Sequence, residues 1–127
     1  MNKNPANFVP LTPISFLHRT ADIYGEHQSV LYENRSYTWR ESRERCVRIA
    51  SSLNGHGVMP GDTVSVLAFN TPEMFESHFS IPMAGAILNT INIDMNNANI
   101  PKTQDTVPLH KFNSSEIFFS SPPKFSI

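Results

Sequence analysis

The chain has little cysteine and few charged residues. Cys46 is the only cysteine among 127 residues, so no disulfide can form within the chain, and a disulfide-stapled secreted module is excluded. Charged side chains make up 17% of the sequence, below the roughly 25% of typical soluble domains. Ten Lys and Arg against 11 Asp and Glu give a formal charge of −1. This balance provides no broad field for nucleic acid or an anionic membrane, so neither is expected as a partner.

Targeting and membrane-spanning signals are also scarce. Met1 to Asn7 contain no apolar segment of the kind that a secretory signal carries. The longest uncharged stretch, Ser77 to Ile93, is short and interrupted by polar residues and Pro82, which argues against a membrane span. Phe125-Ser126-Ile127 is not a peroxisomal signal of the Ser-Lys-Leu type. We therefore expect an intracellular protein without a membrane span.

A helix and a hairpin are predicted near the start of the chain. Thr12 followed by Pro13 is typical of a helix start, because the hydroxyl caps free amides and proline at the first position loses no hydrogen bond. Gly25 is predicted to close this helix in the left-handed conformation. β-prone runs at 28–33 and 36–39 predict a hairpin with Asn34-Arg35 as its two-residue turn. The expected core side of the helix consists of Ile14, Leu17, Ala21 and Tyr24.

Thr38 and Glu41 have the spacing of a capping box and predict a second helix. Glutamates stand four residues before two of its four arginines, at Glu41 with Arg45 and at Glu44 with Arg48. Such pairs favour a solvated helix face over a nucleic-acid surface. The expected core side of this helix consists of Cys46, Val47, Ala50 and Leu53.

The middle of the chain reads as alternating strands and helices. Pro60-Gly61 suits the central positions of a type II turn. The run from Thr63 to Phe69 is mostly apolar without alternation, which is typical of a strand covered on both faces in a parallel sheet. Asn70 or Thr71 then caps a helix that has Pro72 in its first turn and is apolar almost all round. This order of elements predicts an α/β fold.

Two further signals follow this third helix start. Pro82 should kink or shorten the helix, because proline removes a backbone hydrogen bond. Ala86 to Leu88 is predicted to begin another buried segment.

From Asp94 onward no helical or alternating pattern persists, and all five glycines lie before that point. We therefore expect a partial domain over residues 1–93 and a divergent, poorly ordered tail over 94–127.

Five sequence motifs occur in order and at family-like spacing within residues 4–93. They are Thr12-Pro13-Ile14-Ser15-Phe16-Leu17, Tyr37-Thr38-Trp39, Pro60-Gly61-Asp62-Thr63-Val64, Asn70-Thr71-Pro72-Glu73 and Pro82-Met83-Ala84-Gly85-Ala86. With these motifs the chain resembles the N-terminal segment of the adenylate-forming (AMP-binding) acyl-CoA synthetases, and most of all the plant acyl-activating enzymes of the short-chain and benzoate-CoA ligase type. The resemblance implies an α/β fold that is an incomplete N-terminal subdomain of the adenylate-forming enzymes.

The same resemblance implies a parent reaction. In the family a carboxylate and ATP give an acyl adenylate and pyrophosphate, and coenzyme A then displaces AMP, with Mg²⁺ neutralising the phosphates. The family's glycine-rich phosphate loop, its ribose-binding acid and its C-terminal lysine have no counterpart in this sequence. Ser120-Ser121-Pro122-Pro123-Lys124 is similar to the end of that loop but contains no glycine. We therefore expect a truncated piece of a fatty or aromatic acid–CoA ligase that is inactive alone and binds no cofactor itself.

Single polar residues provide no catalytic, cofactor-binding or metal site. The five histidines, at 18, 27, 56, 78 and 110, have no chelating spacing. His78 is expected to be packed or hydrogen-bonded on its apolar helix, and Cys46 to be a buried core residue. Tyr37 and Trp39 are expected to pack within a strand. The resemblance to acyl-CoA synthetases implies that the protein is located in the cytoplasm or the peroxisome.

Two other functions compete with that of an enzyme fragment. The chain could be a non-catalytic interaction module that binds a full-length acyl-CoA ligase through an unpaired sheet edge and an apolar helix. It could also be an unrelated small α/β binding domain. Because 74–88 and the strand edges would lack their partners, we expect the isolated chain to aggregate or to form a molten state.

Overall fold

The computed structural model describes residues 11–91, 107–112 and 115–120. Three helices and six strands make up this part of the chain, which confirms the predicted α/β class. The helices are α1 (Pro13–Tyr24), α2 (Trp39–Gly55) and α3 (Pro72–Met83). The strands are β1 (Gln28–Tyr32), β2 (Arg35–Thr38), β3 (Thr63–Leu67), β4 (Ile87–Ile91), β5 (Val107–Phe112) and β6 (Ser115–Ser120).

β3 lies inside a four-stranded sheet of order β4-β3-β6-β5. It pairs in parallel with β4 through the α3 crossover, and four of its five residues are buried, as the apolar run predicted. Among the described strands β4 lies at the edge of this sheet, and Ile87 is 57% exposed. The expectation of a buried segment is therefore wrong for β4, because an edge strand has a neighbour on one side only.

Two segments of the predicted tail differ from the expectation of no regular pattern. β6 pairs antiparallel with β3, and β5 pairs antiparallel with β6. Both strands are held by backbone hydrogen bonds to a neighbouring strand of the sheet. Local hydrophobic periodicity does not indicate such pairing. The rest of the predicted tail, including 121–124 of the loop-like motif, lies outside the described residues.

α1 begins as predicted and ends differently. Thr12 and Ser15 form a capping box, with the Ser15 amide donating to Thr12 Oγ1 at 3.0 Å. Gly25 adopts right-handed helical geometry at φ −51°, so the predicted left-handed cap is wrong. A Cβ at this position would lie 2.6 Å from the Ala21 carbonyl oxygen, so close packing is what requires glycine. Tyr24 is exposed rather than part of the core side.

The hairpin turn lies one residue earlier than predicted. Glu33-Asn34 forms the turn, with Glu33 at φ +52°, and Arg35 already pairs with Tyr32 in the strands. The Arg35 side chain contacts one residue on α3 and one on β1. Its Nη1 donates to Glu73 Oε1 at 2.7 Å, and its guanidinium lies over the Tyr32 ring, 5.3 Å from the centroid.

α2 starts at the predicted capping box, where the Thr38 amide donates to Glu41 Oε2 at 2.8 Å. Cys46, Ala50 and Leu53 are buried as expected, but Val47 is exposed and Ser42 takes a buried position instead. The predicted pairing of Glu41 with Arg45 is wrong, because Glu41 serves the cap and Arg45 bonds Glu76 on α3. The face of α2 that carries Arg45 therefore bonds α3 and is not only exposed to solvent.

The turn before β3 confirms the type II prediction. Gly61 has φ +89°, and the Asp62 amide donates to the Met59 carbonyl at 3.0 Å. Pro82 lies one residue before the end of α3, so it shortens the helix. The buried core joins α2, β3 and α3 through Ala50, Leu53, Val58, Val64, Val66, Ala68, Met74, Ile81, Ala84 and Ala86.

Candidate functional site

An open groove of about 650 Å³ lies between β1 and α3, and we call it the hairpin–helix groove. Its volume falls within the range of ordinary ligand pockets. Among the described residues, none that lines the groove is Asp, Glu, Lys or Arg. The lining consists of Ser29, Val30, Leu31 and Tyr32 from β1, Asn70 and Thr71 from the loop after β3, and Pro72, Met74, Phe75, His78 and Phe79 from α3.

α3 buries polar residues and turns aromatic ones toward the groove. Glu76, Ser77 and Ser80 are almost fully buried, whereas the aromatic rings of Phe75 and Phe79 meet edge to face at 5.1 Å on the groove side. The prediction that the helix is apolar almost all round is therefore wrong. The missed signal is the recurrence of polar residues at 73, 76, 77 and 80, which share one helical face.

A buried ion pair explains how a glutamate is accommodated on that face. Glu76 is 1% exposed, and both of its carboxylate oxygens accept from Arg45, with Nη2 at 3.1 Å from Oε2. The Arg45 guanidinium also lies 4.5 Å from the centre of the Tyr37 ring. Burial raises the pKa of Glu76, and Arg45 only partly offsets this effect. The hydrogen bond from Arg45 to Glu76 raises the pKa of the guanidinium in turn.

A second ion pair joins the two walls of the groove. Arg35 on β2 bonds Glu73 in the first turn of α3 at 2.7 Å. Burial opposes ionisation of Glu73, but hydrogen bonds from Arg35 and from the Glu73 amide outweigh it, so the pKa of this carboxyl is lowered. The hairpin is thereby held against α3 beside the groove.

His78 is hydrogen-bonded on the groove rim. Its Nδ1 lies 2.8 Å from the Met74 carbonyl oxygen, and a carbonyl can only accept, so Nδ1 carries the proton. In the neutral ring this leaves Nε2 as an acceptor on an exposed side chain. No described acid, base or nucleophile contacts it in a catalytic arrangement, and the assignment of no catalytic residue stays a prediction.

Cys46 has the environment of a core residue. Its Sγ donates to the Glu76 carbonyl oxygen at 3.7 Å, and burial raises the pKa of the thiol to about 12. A thiol with this pKa is almost entirely protonated at neutral pH and is a poor nucleophile. Tyr37 packs beneath Arg45, and Trp39 opens α2 instead of lying in a strand.

His27 and His56 contact different neighbours. His27 contacts the Tyr24 ring at 5.5 Å, and His56 Nδ1 lies 2.7 Å from the Ser52 carbonyl oxygen. Within residues 11–91 no group of three or more His, Cys, Asp or Glu side chains could hold a metal ion. No helix in this part of the chain is long and apolar enough to cross a bilayer.

Comparison with known proteins decides the family. Residues 17–103 match the family model described as AMP-binding enzyme. The chain belongs to the AMP-binding enzyme family. This membership confirms the resemblance found in the sequence and excludes the alternative of an unrelated α/β domain.

Plant CoA ligases are among the relatives of this AMP-binding chain. It is 44% identical over 118 residues to 2-methylpropanoate–CoA ligase CCL4 of Humulus lupulus, covering 93% of the chain and 20% of the relative. It is 56% identical over 88 residues to probable acyl-activating enzyme 5, peroxisomal, of Arabidopsis thaliana, covering 68% and 16%. The trans-cinnamate:CoA ligase of Petunia hybrida is 47% identical over 95 residues, covering 75% and 17%. The chain thus spans about a fifth or less of the length of these relatives.

Solved structures show the same fold. The N-terminal subdomain of Klebsiella oxytoca NpsA matches with a TM-score of 0.61 at 20% identity, covering 71% of this chain and 22% of that one. The anthranilate CoA ligase AuaEII in complex with anthranoyl-AMP matches with a TM-score of 0.57 at 22% identity, covering 66% and 16%. The fold is therefore that of a portion of the N-terminal subdomain of adenylate-forming enzymes.

Proposed function

We propose that this chain supplies the opening part of an ATP-dependent carboxylic acid–CoA ligase, with residues 1–93 as its N-terminal domain segment. The observation that carries the proposal is the family match over residues 17–103 together with 44–56% identity to plant CoA ligases. The parent reaction would convert a fatty or aromatic acid, ATP and CoA into acyl-CoA, AMP and pyrophosphate.

The proposed role of this stretch is architectural. Its described residues build a sheet, its helical cover and the hairpin–helix groove, but they supply no phosphate-binding loop and no cluster of metal ligands. ATP, Mg²⁺ and CoA would be held by other parts of such a ligase. The chain by itself should therefore be inactive and should bind none of these cofactors.

A chimera tests the architectural role. Residues 4–93 would replace the matching stretch of Arabidopsis acyl-activating enzyme 5, and pyrophosphate release would be measured with a panel of acids including acetate, butyrate, 2-methylpropanoate and trans-cinnamate. We expect the chimera to keep ATP- and CoA-dependent activity within about tenfold of its parent for any acid that the parent activates. A folded, monodisperse chimera without activity would contradict the proposal.

The isolated chain provides the complementary test. Purified residues 1–127 should form no acyl-CoA from any acid of the same panel, with the intact relative as the positive control. ATP-dependent acyl-CoA formation by the chain alone would show that it is not an inactive segment.

A non-catalytic interaction module is the second candidate. The observation in its favour is the combination of an exposed edge strand, β4, with an aromatic groove on α3. The proposed partner is a full-length acyl-CoA ligase, and no nucleic-acid partner is proposed. The cytoplasm or the peroxisome is the proposed location, supported by relatives whose names include the peroxisome.

A further inference from the structure

The β1–β2 hairpin is attached to the fold without contributing to its buried core. Within the described residues it forms a two-stranded sheet of its own, separate from the sheet that contains β3. No residue from 28 to 38 is fully buried, whereas α2, β3 and α3 each bury several. A two-stranded hairpin is at best marginally stable by itself in water, so this one depends on the contacts that hold it to the helices.

Several of these contacts lie toward the end of the hairpin that joins α2. The amide of Trp39, the first residue of α2, donates to the carbonyl of the residue before β1 at 3.0 Å. The Ser29 hydroxyl lies 2.6 Å from the hydroxyl of Ser42, which is fully buried on α2. The centre of the Tyr37 ring on β2 lies 4.5 Å from the Arg45 guanidinium. Together these contacts anchor the hairpin to α2.

The far end of the hairpin is attached to α3 instead. Arg35 lies next to the turn, where it pairs with Tyr32. Its side chain forms the one ion pair between the hairpin and α3 among the described residues, with Glu73 at 2.7 Å, and the two side chains are 35% and 21% exposed. Beside this pair the hairpin–helix groove separates β1 from α3. Ion pairs that water reaches contribute little to stability, so this end should release more easily than the end at α2.

We propose that residues 28–38 form a flap at the hairpin–helix groove, hinged where β2 joins α2 and latched by the Arg35–Glu73 ion pair. Segments with few buried side chains open locally more often than the whole chain unfolds. Release of the latch would move the β1 wall away from Phe75 and Phe79 on the α3 wall and widen the groove. The flap does not depend on the proposed ligase role, because it follows from contacts within residues 28–79 and its opening needs no catalytic activity.

The distance between two spin labels tests the flap in the full chain, residues 1–127. Asn34→Cys places one label at the hairpin turn and His78→Cys places the other on α3, and both positions are exposed. Cys46 should stay unlabelled, because it is buried and burial raises the pKa of its thiol to about 12. Double electron–electron resonance should show a main population at a short distance and a minor population at a longer distance.

Two substitutions release the latch from opposite sides. Glu73→Gln and Arg35→Gln should each enlarge the longer-distance population about threefold, because either one removes a charge of the ion pair. The double variant should show no further increase, since both changes break the same interaction. Adding about 1 M NaCl should enlarge this population in the chain with an intact latch but not in the Glu73→Gln variant. Arg43→Gln is the matched control, because it breaks a surface ion pair with Asp22 on α1 that does not involve the hairpin.

Three results would overturn the flap. A single label distance in every variant would show that the hairpin does not open. A longer-distance population that Glu73→Gln, Arg35→Gln and salt all leave unchanged would show that the ion pair is not a latch. Faster hydrogen exchange of residues 46–53 in the two latch variants would show that these substitutions unfold the core instead of opening the flap.

Discussion

Glu76 is an acidic residue placed where the sequence around it predicts an apolar face. Its carboxylate is 1% exposed, and Arg45 reaches it from α2. The i, i+4 spacing of Glu41 and Arg45 predicted an ion pair between them, because this spacing considers contacts within one helix only. In the folded chain Arg45 bonds the buried carboxylate of Glu76, where water competes less for the hydrogen bonds. The Glu41 carboxylate instead accepts from the Thr38 amide at the start of α2.

Arg45→Ala should destabilise the chain strongly. Removing one partner leaves the Glu76 carboxylate buried without a counter-charge, which costs about 3 kcal/mol for buried pairs. Urea unfolding measures the change. Arg43→Ala is the control, because the Asp22 partner of Arg43 is 68% exposed and such surface pairs contribute about 1 kcal/mol or less. Equal effects of the two substitutions would contradict the role of the buried pair.

The loss of stability caused by Arg45→Ala should be smaller at low pH than at high pH. The pKa of Glu76 is raised in the folded chain, so the folded state binds the proton more tightly than the unfolded state, and stability falls as the pH rises past the usual carboxyl range. Without Arg45 this effect should be larger. The variant should therefore be less impaired at about pH 4.5 than at about pH 8. The same loss at both values would show that the carboxylate is not the cause.

Cys46 should be protected from modification in the folded chain. Burial raises the pKa of its thiol to about 12 and removes it from solvent, so both the thiolate fraction and the access are low. Alkylation by iodoacetamide at about pH 8 should be at least tenfold slower in buffer than in urea. Rapid labelling in buffer would contradict the buried position. Since it is the only cysteine, the mass increase reports this site alone.

At the scale of elements, all three described helices start at a threonine, and the threonines before α2 and α3 differ in the cap hydrogen bond they make. Thr38 caps α2 through its hydroxyl, whereas Thr71 before α3 makes no side-chain cap hydrogen bond. The sequence predicted both helix starts, because the capping-box spacing of Thr38 and Glu41 and the proline after Thr71 are local signals. It did not predict which threonine hydroxyl accepts a capping hydrogen bond, because that depends on the surroundings of the first turn of each helix.

Thr38→Val should therefore cost about 1 kcal/mol, because it removes the capping hydroxyl while keeping the shape of the side chain. Thr71→Val should cost less than about 0.5 kcal/mol, since no cap hydrogen bond is lost. The free energy of unfolding in urea measures both. A larger loss for Thr71→Val than for Thr38→Val would contradict the assigned caps.

At the scale of the whole molecule, β6 occupies the second edge of β3. β4 covers the first edge, so β3 is an internal strand in the described sheet. An exposed edge of an apolar strand is a template for pairing between chains. The described strands of the tail therefore act as cover for β3, a role that the low periodicity of 94–127 did not indicate.

Removing 94–127 should increase self-association. A chain of residues 1–93 exposes the backbone edge of β3 that pairs with β6, and sedimentation velocity should show larger species than for residues 1–127 at the same concentration. Binding of a dye for exposed apolar surface should increase as well. A monomeric chain of 1–93 with a sharp two-state melt would refute the covering role, and the same result for residues 1–127 would refute the predicted aggregation of the isolated chain.

The sequence by itself determined the family, the α/β class, the three helix starts and the buried strand β3. These features depend on short motifs, caps and runs of apolar residues that are complete within a few neighbouring positions. Only the tertiary structure decided the partner of Arg45, the buried polar face of α3, the exposed edge at β4 and the strands β5 and β6. Each of these depends on contacts between residues far apart in the chain, where burial and the supply of a partner outweigh local preference.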